Sequence, residues 1–456
     1  QRAERLKALA KYLNEHKEQL YAISAHTGAT RADGWIDIEG GAGTLFAYAS
    51  MGSNELPSGN LVHEGPAMAL GKKGNFAGTH ILVPRAGVAV HINAFNFPVW
   101  GLLEKFAPSF LAGMPCIGKP ASATSYLTEA AVRLVMASGI LPEGSLQLVI
   151  GGTGDLLDRL QGPDVVTFTG SADTAAKLRV HPNLVRQSIP FNAEADSLNC
   201  AILAPDVSPD DEEFELFVKE VAREMTTKAG QKCTAIRRAI VPRQHIDAVA
   251  TRLRARLAKI VAGDPAREDV RMGALASHAQ REDVAERVAQ LLQGSEQVFG
   301  ASDGFSPVGE GVDGGAFFAP TLLLSRQPLQ HDAAHDVEAF GPVSTLMAYD
   351  GLDKPITLAA RGKGSLVGTL VTRDPKIAAR VPTVAALHGR ILVLDRDAAV
   401  ESTGHGSPLP QLKHGGPGRA GGGEELGGIR AVKHYLQRTA LQGSPAMIAA
   451  ITGEYM

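Results

Sequence analysis

Val88-Ala-Val-His-Ile92, the run Trp100-Gly-Leu-Leu-Glu-Lys-Phe-Ala-Pro-Ser-Phe-Leu111, and Met114-Pro-Cys-Ile-Gly118 stand in succession. The first and third are short, apolar and bounded by turn residues, which predicts buried strands; the middle one has the length of a helix. The alternation continues on the C-terminal side. Thr124 to Ser138 is a helical stretch closed by Gly139, Leu146-Gln-Leu-Val-Ile150 a strand, and Asp164-Val-Val-Thr-Phe168 another. Strand–helix–strand repetition of this kind predicts a mostly parallel, doubly wound α/β sheet, with ligands at the carboxyl ends of its strands.

A second α/β unit is expected from Ala201-Ile-Leu-Ala204 onward, with charged helices from about Ala248 to Ala262 and from Gln280 to Leu292. Upstream, Leu6, Leu9, Ala10 and Leu13 share one face at helical spacing. The stretch between Gly300 and Gly315 reads as a loop. The glycine-dense segment from His414 to Gly428 reads either as a linker or as a loop folded over a site, because apolar sequence resumes at Ile429.

The 456 residues suffice for two or three domains. A net charge of −3 gives no electrostatic reason to expect nucleic acid or an anionic membrane as partner. Cys116, Cys200 and Cys233 are too few and too scattered for a disulfide framework or a cysteine-based metal site, so no metal is expected and a reducing cytoplasm is. No apolar run is long enough to span a bilayer, and Arg2, Glu4, Arg5 and Lys7 leave no signal-peptide pattern at the start.

Cys116 and Cys200 lie in apolar runs and read as core residues. Cys233 differs: Gly230-Gln-Lys-Cys233 places it in a polar turn. A reactive thiol needs an electropositive niche and a base nearby, for which Lys232, turn amides and an upstream glutamate are candidates. Alone, the segment fits a surface turn with an incidental cysteine equally well.

Seven segments together resemble the aldehyde dehydrogenase superfamily, in the family's order and through nearly the whole chain. They are Asn93-Ala-Phe-Asn-Phe-Pro98, Gly118-Lys-Pro-Ala-Ser122, Phe168-Thr-Gly-Ser171, Gly230-Gln-Lys-Cys233, Phe317-Phe-Ala-Pro-Thr-Leu322, Glu338-Ala-Phe-Gly-Pro342 and Glu425-Leu-Gly427. The resemblance implies an aldehyde dehydrogenase-like fold of two doubly wound Rossmann-type domains plus a small β oligomerisation element. It places a cofactor-binding domain over residues 1–197, interrupted by a hairpin at 66–84, a catalytic domain over 198–434, and an oligomerisation tail over 435–456. A homodimer or a dimer of dimers follows from that tail, whose period over Leu436 to Gln442 is ambiguous by itself.

The implied chemistry is oxidation of an aldehyde to an acid. Cys233 becomes the nucleophile, since the aldehyde hydrogen leaves as hydride only from a tetrahedral carbon. The Asn96 amide and the Cys233 N–H become the oxyanion donors, although asparagine is also an ordinary turn residue before Phe97-Pro98. The sequence departs from the family at the base: aligned on Ser197-Leu-Asn199, the usual glutamate position falls on Asn192, which cannot act as one. Glu194, two residues on and on the same face of an extended segment, is assigned instead, with Asp196 as the fallback. Glu425 is a further carboxylate candidate, and as readily a solvated loop acid.

For the cofactor, Lys119 is expected at the adenosine ribose, Thr169, Gly170 and Ser171 at the phosphates, and Glu338 with Phe340 at the nicotinamide ribose. Ala175 stands where the family has a glycine, and Gly152-Thr-Gly154 is only a fragment of a dinucleotide fingerprint. Ser122 occupies the position at which NAD-preferring members carry glutamate. A serine does not repel a 2′-phosphate, so NADP is expected to serve at least as well as NAD. The Asn192-Ala-Glu-Ala-Asp-Ser-Leu-Asn199 variant resembles the branch that oxidises coenzyme A-linked semialdehydes in benzoate and phenylacetate breakdown. General aldehyde oxidation, coenzyme A-acylating chemistry, and an inactive scaffold of the same fold are the competing readings.

Overall fold

The computed structural model describes residues 1–453. Its strands group in chain order. β1 (Val62–His63), β2 (Met68–Ala69) and β3 (Ala77–Pro84) begin a small antiparallel sheet. β4 (Ala89–Ile92), β5 (Cys116–Lys119), β6 (Leu146–Leu148), β7 (Val165–Thr169) and β8 (Phe191–Glu194) form a wholly parallel sheet in the order β6-β5-β4-β7-β8. β9 (Cys200–Leu203), β10 (Arg238–Pro242), β11 (Glu296–Phe299), β12 (Thr321–Ser325), β13 (Val343–Tyr349), β14 (Ser365–Val371) and β15 (His388–Leu394) form the second, ordered β11-β12-β13-β10-β9-β14-β15. Only β11 runs antiparallel to its neighbour. β16 (Lys413–His414) and β17 (Glu425–Leu426) make a two-stranded ribbon, and β18 (Leu436–Gly443) returns to pair with β3 along its length.

In both sheets the strand order switches direction, between β4 and β7 in the first and between β9 and β14 in the second. That is the doubly wound arrangement, and it opens a crevice at the carboxyl ends of the strands. Helices pack on both faces because strands buried on both sides must be covered. The helix Trp100–Ala112 is buried along nearly its whole length, with Leu102, Leu103, Phe106 and Ala107 all at 0–1% exposure. It covers one face of the first sheet, and the helix Ala172–Arg179 covers the other.

Element boundaries moved where side chains interrupted the backbone pattern. The strand expected at 164–168 begins at Val165, because the Asp164 carboxylate turns back to accept from Val88 N–H (2.7 Å) and Gln161 N–H (2.7 Å). The helix expected over 248–262 spans Ile246–Leu257; beyond it the chain extends, and Ala262 bridges to Met272. The glycine-dense stretch is an ordered loop closed over β8: Gly423 N–H donates to Ala193 O (3.0 Å) and Ala195 N–H to Ala420 O (3.1 Å). Gly421 has φ +99°, and a Cβ there would stand 2.3 Å from Ala193 O, so only glycine permits the approach. Among the described residues, no helix is long and apolar enough to cross a membrane.

Candidate active site

Cys233 follows three successive left-handed residues, Lys228 (φ 51°), Ala229 (φ 52°) and Gly230 (φ 68°). Two of them carry side chains, and each such residue costs about 1 kcal/mol or more. The surroundings hold the turn in place. Asp33 accepts from Lys228 N–H (2.7 Å), and Lys228 Nζ donates to Thr27 Oγ1 (2.6 Å) and Thr27 O (3.1 Å). Buried Arg237 donates to Gly230 O (2.9 Å) and Gly341 O (2.7 Å), tying the turn to the Glu338–Pro342 segment. Asn199 Nδ2 donates to Cys233 O (2.8 Å). At Gly230 a Cβ would lie 2.1 Å from Gly341 O, which excludes any other residue.

Asn96 leaves β4 beside this turn and donates from Nδ2 to Gln231 O (3.1 Å), so its amide is fixed against the nucleophile loop. The following helix is held at its start by Asp37, whose carboxylate accepts from Val99 N–H (3.0 Å) and Trp100 N–H (2.7 Å). Burial drives the Asp37 carboxyl up to about 7 despite those donors and nearby Lys228.

Glu194 ends β8 and is 1% exposed. His414, on β16, brings Nε2 to 3.8 Å from Cys233 Sγ, a sulfur hydrogen-bond distance, and to 3.0 Å from Glu194 Oε2. The three acid–base atoms lie within 4.8 Å of one another. Among the described residues neither Glu194 oxygen has an aligned hydrogen-bond donor, so the imidazole is aligned on sulfur with the carboxylate alongside. Burial pushes the Cys233 thiol up, and the Glu194 charge pushes it further. The upstream glutamate expected beside the thiol is there, whereas Lys232, a candidate for the electropositive niche, is paired with Glu224 at 2.9 Å. Burial works on Glu194 in the same direction, but His414 and Lys105 outweigh it and hold this carboxyl below its usual range.

Behind Glu194 stands a buried charge cluster. Glu104, Glu194 and Glu425 have carboxylate oxygens within 4.8 Å of one another. Lys105 Nζ lies 2.7 Å from Glu104 Oε1 and 3.1 Å from Glu425 Oε2, with all these side chains at most 4% exposed. Burial raises the carboxyls of Glu104 and Glu425, Lys105 opposing and the neighbouring acids adding to it. Three carboxylates so close repel one another, which disfavours charge on all of them at once, and Lys105 is the cation that offsets this.

Of the expected cofactor residues, Lys119, Ser122, Thr169, Gly170 and Ser171 lie at the carboxyl ends of the first sheet, and Glu338 and Phe340 come from the segment before β13 of the second. Lys119 closes β5 and donates to Pro120 O (3.2 Å), and Ser122, exposed, opens the short turn after it. Thr169 closes β7; Gly170 follows, and Ser171 caps the helix Ala172–Arg179 by accepting from Thr174 N–H (3.3 Å). Glu338 pairs with Arg237 (3.3 Å) and accepts from Ser197 N–H (3.0 Å); burial lifts its carboxyl to about 7. Phe340 meets Phe95 edge-on at 5.8 Å. Thr169 Oγ1 and both amide atoms of Asn93, just beyond the paired ends of β7 and β4, are buried without a partner among the described residues. Orphaned hydroxyl and amide groups in the crevice of a doubly wound sheet fit a dinucleotide.

The structure therefore brings Cys233, Asn96, Glu194 and Glu425 to one place. Asp196 is engaged elsewhere, accepting from Ala172 N–H at 2.9 Å. Asn192 pins the glycine loop through Glu424, donating to its O (3.0 Å) and accepting from its N–H (2.9 Å). Cys116 and Cys200 are core residues at 1% exposure. His414, Glu104, Lys105 and Asn93 were not singled out from the sequence. The signal for the Glu104-Lys105 pair was two charges inside an otherwise apolar helix; for His414, a titratable residue opening a glycine-dense loop.

The sequence model of the aldehyde dehydrogenase family matches residues 1–440. The 3,4-dehydroadipyl-CoA semialdehyde dehydrogenase of Aromatoleum evansii is 45% identical over 419 residues, which is 91% of this chain and 81% of that protein. Among solved structures, a betaine aldehyde dehydrogenase point mutant from Staphylococcus aureus in complex with NAD+ superposes with a TM-score of 0.82 at 22% identity, covering 97% of this chain and 84% of that one. A succinic semialdehyde dehydrogenase from Streptococcus pyogenes in complex with NADP+ superposes with a TM-score of 0.80 at 20% identity, covering 96% and 89%. These two likenesses establish the fold.

Proposed function

The chain belongs to the aldehyde dehydrogenase family, and from that premise we propose that it oxidises a coenzyme A-linked semialdehyde of aromatic catabolism to the free acid, with NADP preferred over NAD. The observation that carries this reading is the convergence of the Cys233 thiol and the Glu194 carboxylate, with His414 beside both, inside a chain 45% identical to a relative of that stated activity.

Cys233, as thiolate, adds to the aldehyde carbon, and the oxygen becomes an alkoxide facing the Asn96 amide and the Cys233 N–H. The cofactor, when bound, supplies the hydride acceptor for the tetrahedral carbon. Thr169, Ser171, Lys119, Ser122, Glu338 and Phe340 are the residues assigned to hold it, and the orphaned Thr169 hydroxyl supports that placement. Glu194 then takes a proton from water, whose oxygen attacks the thioester; the acid leaves and the Cys233 thiolate is restored. Lys105 and Glu425, with Glu104, stand where the Glu194 proton must be passed on.

The placement of the two parallel sheets and of β18 supports a division into a cofactor part (1–197, interrupted by the hairpin at 66–84), a catalytic part (198–434) and a tail (435–456), of which residues 454–456 lie outside those described. Among the described residues β18 pairs only with β3, and a strand with one unpaired edge supports a homodimer or a dimer of dimers. The deciding experiment follows reduced-cofactor absorbance with a coenzyme A-linked semialdehyde against simple aldehydes, using NADP and NAD in turn. Preference for the linked substrate with NADP, and free acid as product without added coenzyme A, is the expected result. Equal or faster rates on simple aldehydes would remove the substrate assignment.

A further inference from the structure

We propose that His414 is a catalytic residue for the thiol step, its Nε2–H acting as the donor that lets the Cys233 thiolate exist beside the Glu194 carboxylate. The need for such a group is electrostatic. Ionising Cys233 places two buried anions within 4.8 Å, a repulsion that the low-dielectric interior screens poorly.

The basic groups around the thiol are otherwise committed. Lys232 pairs with Glu224 (2.9 Å), Lys105 with Glu104 and Glu425 (2.7 and 3.1 Å), and Arg237 with Glu338 (3.3 Å). Arg390 donates to His405 O (2.9 Å). His414 alone among these residues has a nitrogen at hydrogen-bond distance from sulfur, 3.8 Å, with the same nitrogen 3.0 Å from Glu194 Oε2.

Its placement is enforced from three sides. The ring edge rests on Trp100 (5.7 Å between centroids, 74° between planes), and its backbone pairs with Glu425 across the ribbon. The glycine loop behind it is hydrogen-bonded to Ala193, next to Glu194. The groups facing the imidazole are thus Cys233, Glu194 and Glu425, with Lys105 and Glu104 beyond, and the local charge is acidic, which favours a donor at this position.

In the step so assigned, the Sγ proton passes through a Glu194 oxygen and on past the Glu425–Lys105 cluster to water, so Glu194 is again an anion while Nε2–H remains the donor to the sulfur anion. The S–C bond forms as the carbonyl π pair moves onto oxygen, and no redox partner is required.

The role rests on the aldehyde-oxidation reading, but its test uses neither aldehyde nor cofactor, so the two stand or fall separately. Wild type, His414→Phe and His414→Gln are alkylated with iodoacetamide across a pH series, and the Cys233 peptide is quantified by mass spectrometry. His414→Phe should slow alkylation at neutral pH about tenfold and move the midpoint up by about one pH unit. His414→Gln, which keeps an N–H donor of similar reach, should recover part of the rate. Dinucleotide binding by fluorescence quenching should be the same in all three, so a general structural defect reads differently. A profile for His414→Phe that superimposes on wild type overturns the proposal, as does a Gln variant no better than Phe.

Discussion

Lys105 Nζ lies 3.1 Å from Glu425 Oε2, joining the helix that follows the Asn-Phe-Pro segment to a strand near the end of the chain. The ammonium is buried with two carboxylates and lies close to a third, so its removal strands acids rather than merely deleting a contact. Lys105→Met should lower unfolding stability by about 3–5 kcal/mol, read from denaturant midpoints. Stability unchanged within about 1 kcal/mol would mean that the cluster is solvated.

Cys233→Ala should abolish aldehyde oxidation while leaving dinucleotide binding intact. Glu194→Gln should give a burst of reduced cofactor, about one equivalent per site, followed by turnover at least about a hundredfold slower, because acylation no longer leads to hydrolysis. Unchanged steady turnover would reject Glu194 as the water base.

The Asp37 carboxyl sits at about 7 in the folded protein, against 3.8 unexposed to these surroundings. A carboxyl raised on folding keeps its proton in the native state after the unfolded chain has lost it. Its stabilising contribution is therefore complete below pH ~4 and disappears as pH rises through ~7. Asp37→Asn keeps an acceptor for Val99 and Trp100 N–H and does not titrate. Its stability relative to wild type should rise by about 1–4 kcal/mol between pH 4 and 7 and then level off. A constant difference across that window would show that Asp37 does not change protonation.

Ser122→Glu places a carboxylate at the position assigned to the adenosine ribose. The ratio of kcat/KM with NADP to that with NAD should fall at least about tenfold, through KM for NADP. An unchanged ratio would detach Ser122 from cofactor selection.

Gly230→Ala forces a Cβ to 2.1 Å from Gly341 O at a φ of +68°. The turn before Cys233 and the Glu338–Pro342 segment must separate. Activity should be lost together with at least about 2 kcal/mol of stability, whereas Gly43→Ala, with nothing within 4 Å of its Cβ, should be tolerated in both measurements.

The sequence by itself determined the alternation of strands and helices, since the apolar period and the turn residues around Val88–Gly118 are local properties of the chain. It also singled out Cys233 and Glu194 as the candidate nucleophile and base, because Gly230-Gln-Lys-Cys233 and the Asn192–Asn199 variant are contiguous signatures. What only the tertiary structure decided is which charges meet. His414, Glu425 and Lys105 come from the glycine loop, its following strand and a helix that covers the first sheet, and no spacing in the sequence brings them to Glu194. Their electrostatics are a property of shared burial: acids that would titrate independently in solution stand within 4.8 Å of one another here, and each raises its neighbours' affinity for protons.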